Sequence, residues 1–182
     1  MPRQINVANG LTVLRLLLAP PIVVAMSTGR HLLALALFAL AAATDLLDGA
    51  AARHFGLETP LGAYLDPIAD KCLLGAMFLA MAGARMVPWW FVAIVLGRDI
   101  YLLLAAAILL RFSSQRKFPP SVWGKASTFL QIVAAVTALA AGMWGHGNEW
   151  LPAVALIRIS AVFTIWSGIE YTWRGIAIAR AH

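Results

Sequence analysis

Six apolar runs, each roughly the length that crosses a bilayer, leave this chain little choice of fold. They lie at about Ile5–Met26, His31–Ala52, Leu61–Ala84, Pro88–Leu110, Val122–Trp144 and Leu151–Trp173. Each is long enough to span with some tilt. Gly, Pro and short polar stretches separate them, as at Ser27–Arg30 and Arg111–Pro120. None shows the period-2 alternation of a membrane barrel strand, so the runs predict helices. The expectation is an all-α integral membrane protein: a six-transmembrane-helix bundle forming one domain over residues 1–182. Composition supports this. Of the 182 residues, 62% are hydrophobic and 12% charged, against ~45–50% and ~25% in soluble domains. A soluble enzyme or a nucleic-acid binder of this size has no way to hide so much apolar surface.

Lys and Arg give an orientation. With the N-terminus inside, Arg3, Arg53, Arg111, Arg116, Lys117, Arg174 and Arg180 fall on or near the inner side, and Arg30 and Arg85 in outer loops. Seven against two predicts that both termini are cytoplasmic. The net charge of +6 therefore reads as positive-inside loops, and no nucleic-acid partner is expected. The first run lacks a cleavage site, and Arg15 interrupts it, so it is expected to be a retained span. The absence of a transit peptide points to a bacterial plasma membrane. The single cysteine, Cys72, excludes an intrachain disulfide and is expected to pack in the core.

Six of the eight acidic residues lie in or at the ends of apolar runs, where charge is expensive and marks function. Four of them form two pairs. Asp45 and Asp48 are spaced i, i+3; Asp66 and Asp70 are spaced i, i+4. Either spacing puts both carboxylates on one helix face. The two runs are antiparallel neighbours, so the pairs reach similar depth near the inner surface. Four converging carboxylates repel unless neutralised. Arg53 is the nearest basic candidate, but a hard divalent cation does it better. Two metals sharing carboxylates suit phosphoryl chemistry. The plainer alternative is a carboxylate–arginine network that holds two helices together, a costly way to make one contact.

Read together, these residues form one pattern: Asp45-x2-Asp48-Gly49-x2-Ala52-Arg53-x8-Gly62-x3-Asp66-x3-Asp70. It matches, without departure, the signature of the CDP-alcohol phosphatidyltransferases, with eight fixed positions in 26 residues. Asn9-x2-Thr12-x2-Arg15 resembles the family's entry to span one. Gly124-Lys125-x2-Thr128-x2-Gln131 resembles the start of span five in its glycerophospholipid members. Trp166-Ser167 with Tyr171 resembles their last span. The resemblance covers nearly the whole chain.

It implies a reaction in which the hydroxyl of an alcohol attacks CDP-diacylglycerol, giving a phosphodiester lipid and CMP. It implies two divalent metal ions, Mg2+ or Mn2+, held by Asp45, Asp48, Asp66 and Asp70. Asp70 is implied as the general base. Asn9, Thr12, Gly49, Arg53, Thr59 and Gly62 are implied to contact the CDP-lipid. Relatives are commonly homodimers, and the same is expected here. The site is expected at the cytoplasmic interface, where a polar acceptor meets a bilayer lipid.

The acceptor alcohol is the open question. Leu65-Asp66-Pro67-Ile68-Ala69-Asp70-Lys71 resembles both the phosphatidylglycerophosphate synthase and the cardiolipin synthase branches. Arg98-Asp99 stands where bacterial members of the first branch usually carry Arg-Glu, as in the second. An acceptor with its own phosphate needs a basic pocket, and Arg98 and Lys125 are the candidates within spans. Their plainer readings are an Arg98 pair with Asp99 or Glu170, and a Lys125 that snorkels. Glycerol-3-phosphate is the preferred acceptor and phosphatidylglycerol the alternative. A small transporter is the reading from another class. It is disfavoured because transporter sites lie near the midplane and these aspartates gather at one interface.

Overall fold

A computed structural model describes the backbone of residues 6–55, 60–112, 121–144 and 150–180. It describes side chains for residues 14–44, 68–105, 108, 121–144 and 150–176. The described chain is helical throughout, with α1 (Asn6–Ser27), α2 (His31–Phe55), α3 (Pro60–Gly83), α4 (Trp89–Phe112), α5 (Val122–Met143) and α6 (Leu151–Arg180). All six expected helices are present. α2 runs three residues past the predicted Ala52, and α6 seven past the predicted Trp173. At about 1.5 Å per residue, α6 is about 45 Å long, more than a hydrocarbon core needs. The chain divides into two compact units, Met1–Ala84 and Arg85–His182.

In the first unit, α1 packs against both α2 and α3. Its Pro20-Pro21 pair lies inside the helix without ending it; prolines in apolar helices are tolerated where packing and local adjustment re-satisfy the backbone. The α1 buried stripe is Arg15, Ile22 and Met26, at i, i+7 and i+11. On α3, Leu74, Met77 and Met81 are buried at i, i+3 and i+7, and Asp70 lies on that line one turn earlier. The turn into α2 is set by chemistry. Gly29 adopts φ 73°, its N–H reaches Met26 O at 3.1 Å, and the Arg30 N–H reaches Ala25 O at 2.8 Å. This double bond pattern needs a left-handed residue at the helix end, which glycine supplies without a Cβ penalty.

In the second unit, α6 packs against both α4 and α5. The α5–α6 seam is built from small residues, with Ala134, Ala135, Ala138, Ala153 and Ala161 all buried. Small side chains let helices approach closely where no water drives them together. Large apolar side chains instead face outward: Phe129, Val136, Leu151, Val162 and Ile165 are exposed. Such a surface asks for lipid.

Two helices, Val122–Met143 and Leu151–Ile176, are long and apolar enough to cross a membrane among the described residues. Tryptophans bracket them. Trp123 meets Trp166 edge to face, and Trp166 meets Trp173 likewise, each with ring centroids 6.3 Å apart. At the other end, Trp144 meets Trp150 at 6.4 Å. Trp123 and Trp144 are separated by about 32 Å along α5, close to the ~30 Å of a hydrocarbon core. Tryptophan is enriched at the two faces of a bilayer, and this spacing matches that pattern. One expectation needs correction: Cys72 is exposed because its position on α3 lies off the line of Leu74, Met77 and Met81.

Candidate active site

Asp45, Asp48, Gly49 and Arg53 lie on α2, and Gly62, Asp66 and Asp70 on α3. Both segments are helical, so the two backbone positions of each pair stand about one turn apart on their helix. Asn9 and Thr12 lie on α1. The side chains of Asn9, Thr12, Asp45, Asp48, Gly49, Arg53, Gly62 and Asp66 fall outside the described residues, as does Thr59 altogether. The expected convergence of four carboxylates therefore lies outside them too. Among the described residues no group of three metal-ligating side chains occurs.

Asp70 is described, and its surroundings are informative. Its side chain is half exposed, and Oδ1 accepts from Arg15 Nη1 at 2.6 Å. Arg15 itself is buried, its side chain 5% exposed. The sequence offered Arg53 as the balancing arginine; the described one is Arg15. A lone arginine within an apolar run was the signal, since a buried guanidinium must find an anion. A half-exposed carboxylate with a fixed partner on one oxygen is a hard oxygen donor. The donor chemistry fits Mg2+ or Mn2+, for which carboxylate oxygens are the natural ligands.

The second unit holds a separate polar cluster, and three sequence motifs meet there. Arg98 on α4 donates from Nη1 to Asp99 Oδ1 at 2.9 Å. It also donates from Nε and Nη2 to Ser167 Oγ on α6, at 2.9 and 2.6 Å. Its guanidinium carbon lies 5.9 Å from the Tyr171 ring centroid. Tyr171 Oη in turn accepts from the Ser121 N–H at 3.0 Å. Ser121 caps α5, its Oγ accepting from Gly124 N at 2.9 Å. Gly124 is pressed by its neighbours: a Cβ there would sit 3.2 Å from Tyr171 Cε2, 3.3 Å from Arg98 Nη2 and 3.3 Å from Ser121 Oγ. Arg98, Gly124, Ser167 and Tyr171 thus form one assembly at the start of α5.

Arg98 pairs with Asp99, whereas Glu170 pairs with Arg174 at 2.5 Å. A guanidinium carries five N–H donors. Three are engaged as above, leaving one on Nη1 and one on Nη2 among the described residues. Lys125, next to Gly124, is exposed. It sits in the first turn of α5, where the helix dipole already presents positive charge. A lysine there is electrostatically misplaced unless an anion joins it. An open groove of about 400 Å³ runs past Arg98, between Ile94, Gly97 and Tyr101 on α4 and Gly168, Ile169 and Thr172 on α6.

Below this cluster, the buried side of the Gly124–Gln131 motif faces α6. Ser127 Oγ and Thr164 Oγ1 are 3.0 Å apart, and Gln131 Nε2 reaches both, at 3.3 and 3.0 Å. Thr164 Oγ1 donates to Ser160 O at 2.7 Å. The motif thus divides by face. Gly124, Ser127 and Gln131 are buried, and Lys125 is not.

Comparison with known proteins identifies the family of the chain. The profile of the CDP-alcohol phosphatidyltransferase family matches residues 5–166. A probable phosphatidylglycerophosphate synthase of Mycobacterium tuberculosis is 33% identical, over 96% of this chain and 83% of its own length. The CDP-diacylglycerol–glycerol-3-phosphate 3-phosphatidyltransferase of Escherichia coli is 31% identical, over 92% of this chain and 93% of its own. A probable CMP-forming cardiolipin synthase of Drosophila melanogaster is 30% identical, over 78% of this chain and 49% of its own. A match over nearly the whole chain, carrying the eight-position aspartate signature on two consecutive helices, makes this protein a member of the CDP-alcohol phosphatidyltransferase family.

Proposed function

We propose that this protein is a phosphatidylglycerophosphate synthase, transferring the phosphatidyl group of CDP-diacylglycerol to glycerol-3-phosphate with release of CMP. The observation that carries the reading is the near end-to-end match to the Escherichia coli glycerol-3-phosphate enzyme, 93% of whose length is covered. The residues 1–182 form one catalytic domain with six spans, both termini and the site on the cytoplasmic side of a bacterial plasma membrane. The working form is a homodimer.

Asp45, Asp48, Asp66 and Asp70 would hold two Mg2+ or Mn2+ ions. When bound, these neutralise pyrophosphate charge and stabilise the departing CMP. Asp70 takes the proton from the acceptor hydroxyl as its oxygen bonds to the phosphatidyl phosphorus. The phosphorus–oxygen bond to CMP breaks in the same displacement. Arg53 grips pyrophosphate oxygens with its planar fork. Gly49 and Gly62 let the nucleotide approach the helix backbones, and Asn9, Thr12 and Thr59 contact the CDP-lipid. Lys125 and the two open N–H groups of Arg98 receive the acceptor's phosphate, with the start of α5 adding its own positive end.

The test is CMP release by the purified protein in detergent with CDP-diacylglycerol and Mg2+. Glycerol-3-phosphate and phosphatidylglycerol are supplied as acceptors in parallel, with EDTA as control. EDTA-sensitive release with glycerol-3-phosphate is expected. Release with phosphatidylglycerol alone would move the protein to cardiolipin synthesis, the second reading, which Arg98-Asp99 favours. Release resistant to EDTA would remove the metals from the proposal.

A further inference from the structure

We infer that Arg15 is a positioning residue for Asp70: it fixes one carboxylate oxygen so that the other is presented to the reacting hydroxyl. The inference rests on the reading of Asp70 as the general base. Arg15 Nη1 holds Asp70 Oδ1 at 2.6 Å. The two side chains differ sharply in exposure, 5% for Arg15 against 48% for Asp70. The arginine is therefore anchored and the carboxylate half open.

The anchor lies in the packing of α1 on α3. Arg15 continues the buried α1 line of Ile22 and Met26, and Asp70 continues the α3 line of Leu74, Met77 and Met81. Each side chain is the polar end of an apolar seam. A partner anchored in the packing narrows the rotamers that a half-exposed carboxylate samples. Tied to a charge that cannot leave the seam, the carboxylate keeps one. Arginine suits this because its fork is rigid and never loses its proton. Catalysis needs this order, since a misplacement of about 1 Å at a reacting group costs about 100-fold in rate. Deleting the guanidinium does not strand a buried charge, because Asp70 is open enough to be hydrated.

Full-length protein in detergent tests this with Arg15→Met, Arg15→Lys and Asp70→Asn. CMP-release kinetics are measured beside Mn2+ titration followed by electron paramagnetic resonance. Arg15→Met is expected to lower kcat about 100-fold, with KM for CDP-diacylglycerol within about threefold and Mn2+ stoichiometry unchanged. Arg15→Lys, which keeps the charge in the seam, is expected to recover kcat to within about tenfold of the parent. A kcat for Arg15→Met within about threefold of the parent would overturn the inference. So would loss of Mn2+ stoichiometry together with kcat, which assigns Arg15 to the fold or the metal set. A lysine variant no better than methionine overturns it as well. Asp70→Asn separates the two levels. If it turns over normally, the base assignment falls; if it is dead while Arg15→Met is active, only the role of Arg15 falls.

Discussion

Ser167 Oγ accepts two hydrogen bonds from one arginine, from Nε of Arg98 at 2.9 Å and from Nη2 at 2.6 Å. The pair fastens α4 to α6 with a charge that is only 8% exposed. Hydrogen bonds to charged groups contribute about 1.5–3 kcal/mol. Ser167→Ala should therefore lower stability by about 2 kcal/mol, because Arg98 loses partners it cannot replace from water. Tyr101→Phe is the control. It removes the Thr172 bond of 2.7 Å, which is exposed, and should cost under about 1 kcal/mol. Denaturation of both variants in detergent checks this. Equal losses would mean that Arg98 is not the fastener.

Gly124 sits where three neighbours are each already committed. Tyr171 is held by Ser121 N, Arg98 by Ser167 and Asp99, and the Ser121 hydroxyl by the Gly124 N–H. A Cβ would approach all three at 3.2–3.3 Å. In an open helix, Gly→Ala gains about 1 kcal/mol from propensity. Here none of the neighbours can yield without breaking a hydrogen bond. Gly124→Ala is therefore expected to destabilise, by about 1 kcal/mol net. A gain in melting temperature would show that the cluster is looser than its geometry.

The buried ladder between α5 and α6 contains polar atoms with and without partners. Ser160 Oγ and Gln131 Oε1 are buried and make no hydrogen bond among the described residues, whereas Ser127 Oγ bonds Thr164. A buried donor without a partner costs about 1–3 kcal/mol, and removing it recovers some of that. Ser160→Ala is expected to be neutral or stabilising by up to about 1 kcal/mol. Ser127→Ala leaves both Gln131 and Thr164 short of a partner and should lose about 1–2 kcal/mol. Thermal unfolding of the two variants side by side decides. Equal destabilisation would place an ordered water on Ser160.

Much of this was legible because apolar length dictates helices when the backbone has no water to bond. The six runs gave the helices directly, whereas the meeting of Arg98, Gly124 and Ser167 in one cluster emerged only from the structure. What escaped was pairing across sequence distance. Arg15 and Asp70 are 55 residues apart, and nothing local distinguishes Arg15 from Arg53 as a partner for that carboxylate. Helix ends escaped too. α6 continues past Trp173 to Arg180, and an Arg174–Glu170 pair spans that boundary, which a reading of apolar length does not see. Cys72 lies beside Lys71 and is exposed; apolar length alone does not say which face of a helix turns inward.

Lys125 is the sharpest test of the acceptor. It stands in the first turn of α5, exposed, and makes no ion pair among the described residues. Its own N–H is used, donating to Ser121 O at 3.1 Å. Its ammonium adds positive charge to a helix end that is already positive, which destabilises the free protein. An acceptor phosphate arriving there relieves that repulsion. Lys125→Ala should then raise the apparent KM for glycerol-3-phosphate roughly tenfold. KM for CDP-diacylglycerol should stay within about twofold, because the contacts proposed for that substrate lie outside α5. The variant should also be no less stable than the parent, since removing an unpaired cation from a helix start is favourable. Initial-rate kinetics with each substrate varied in turn make the distinction. Equal increases in both KM values would take Lys125 out of the acceptor pocket. A fall in kcat alone would instead place it beside the reacting phosphorus.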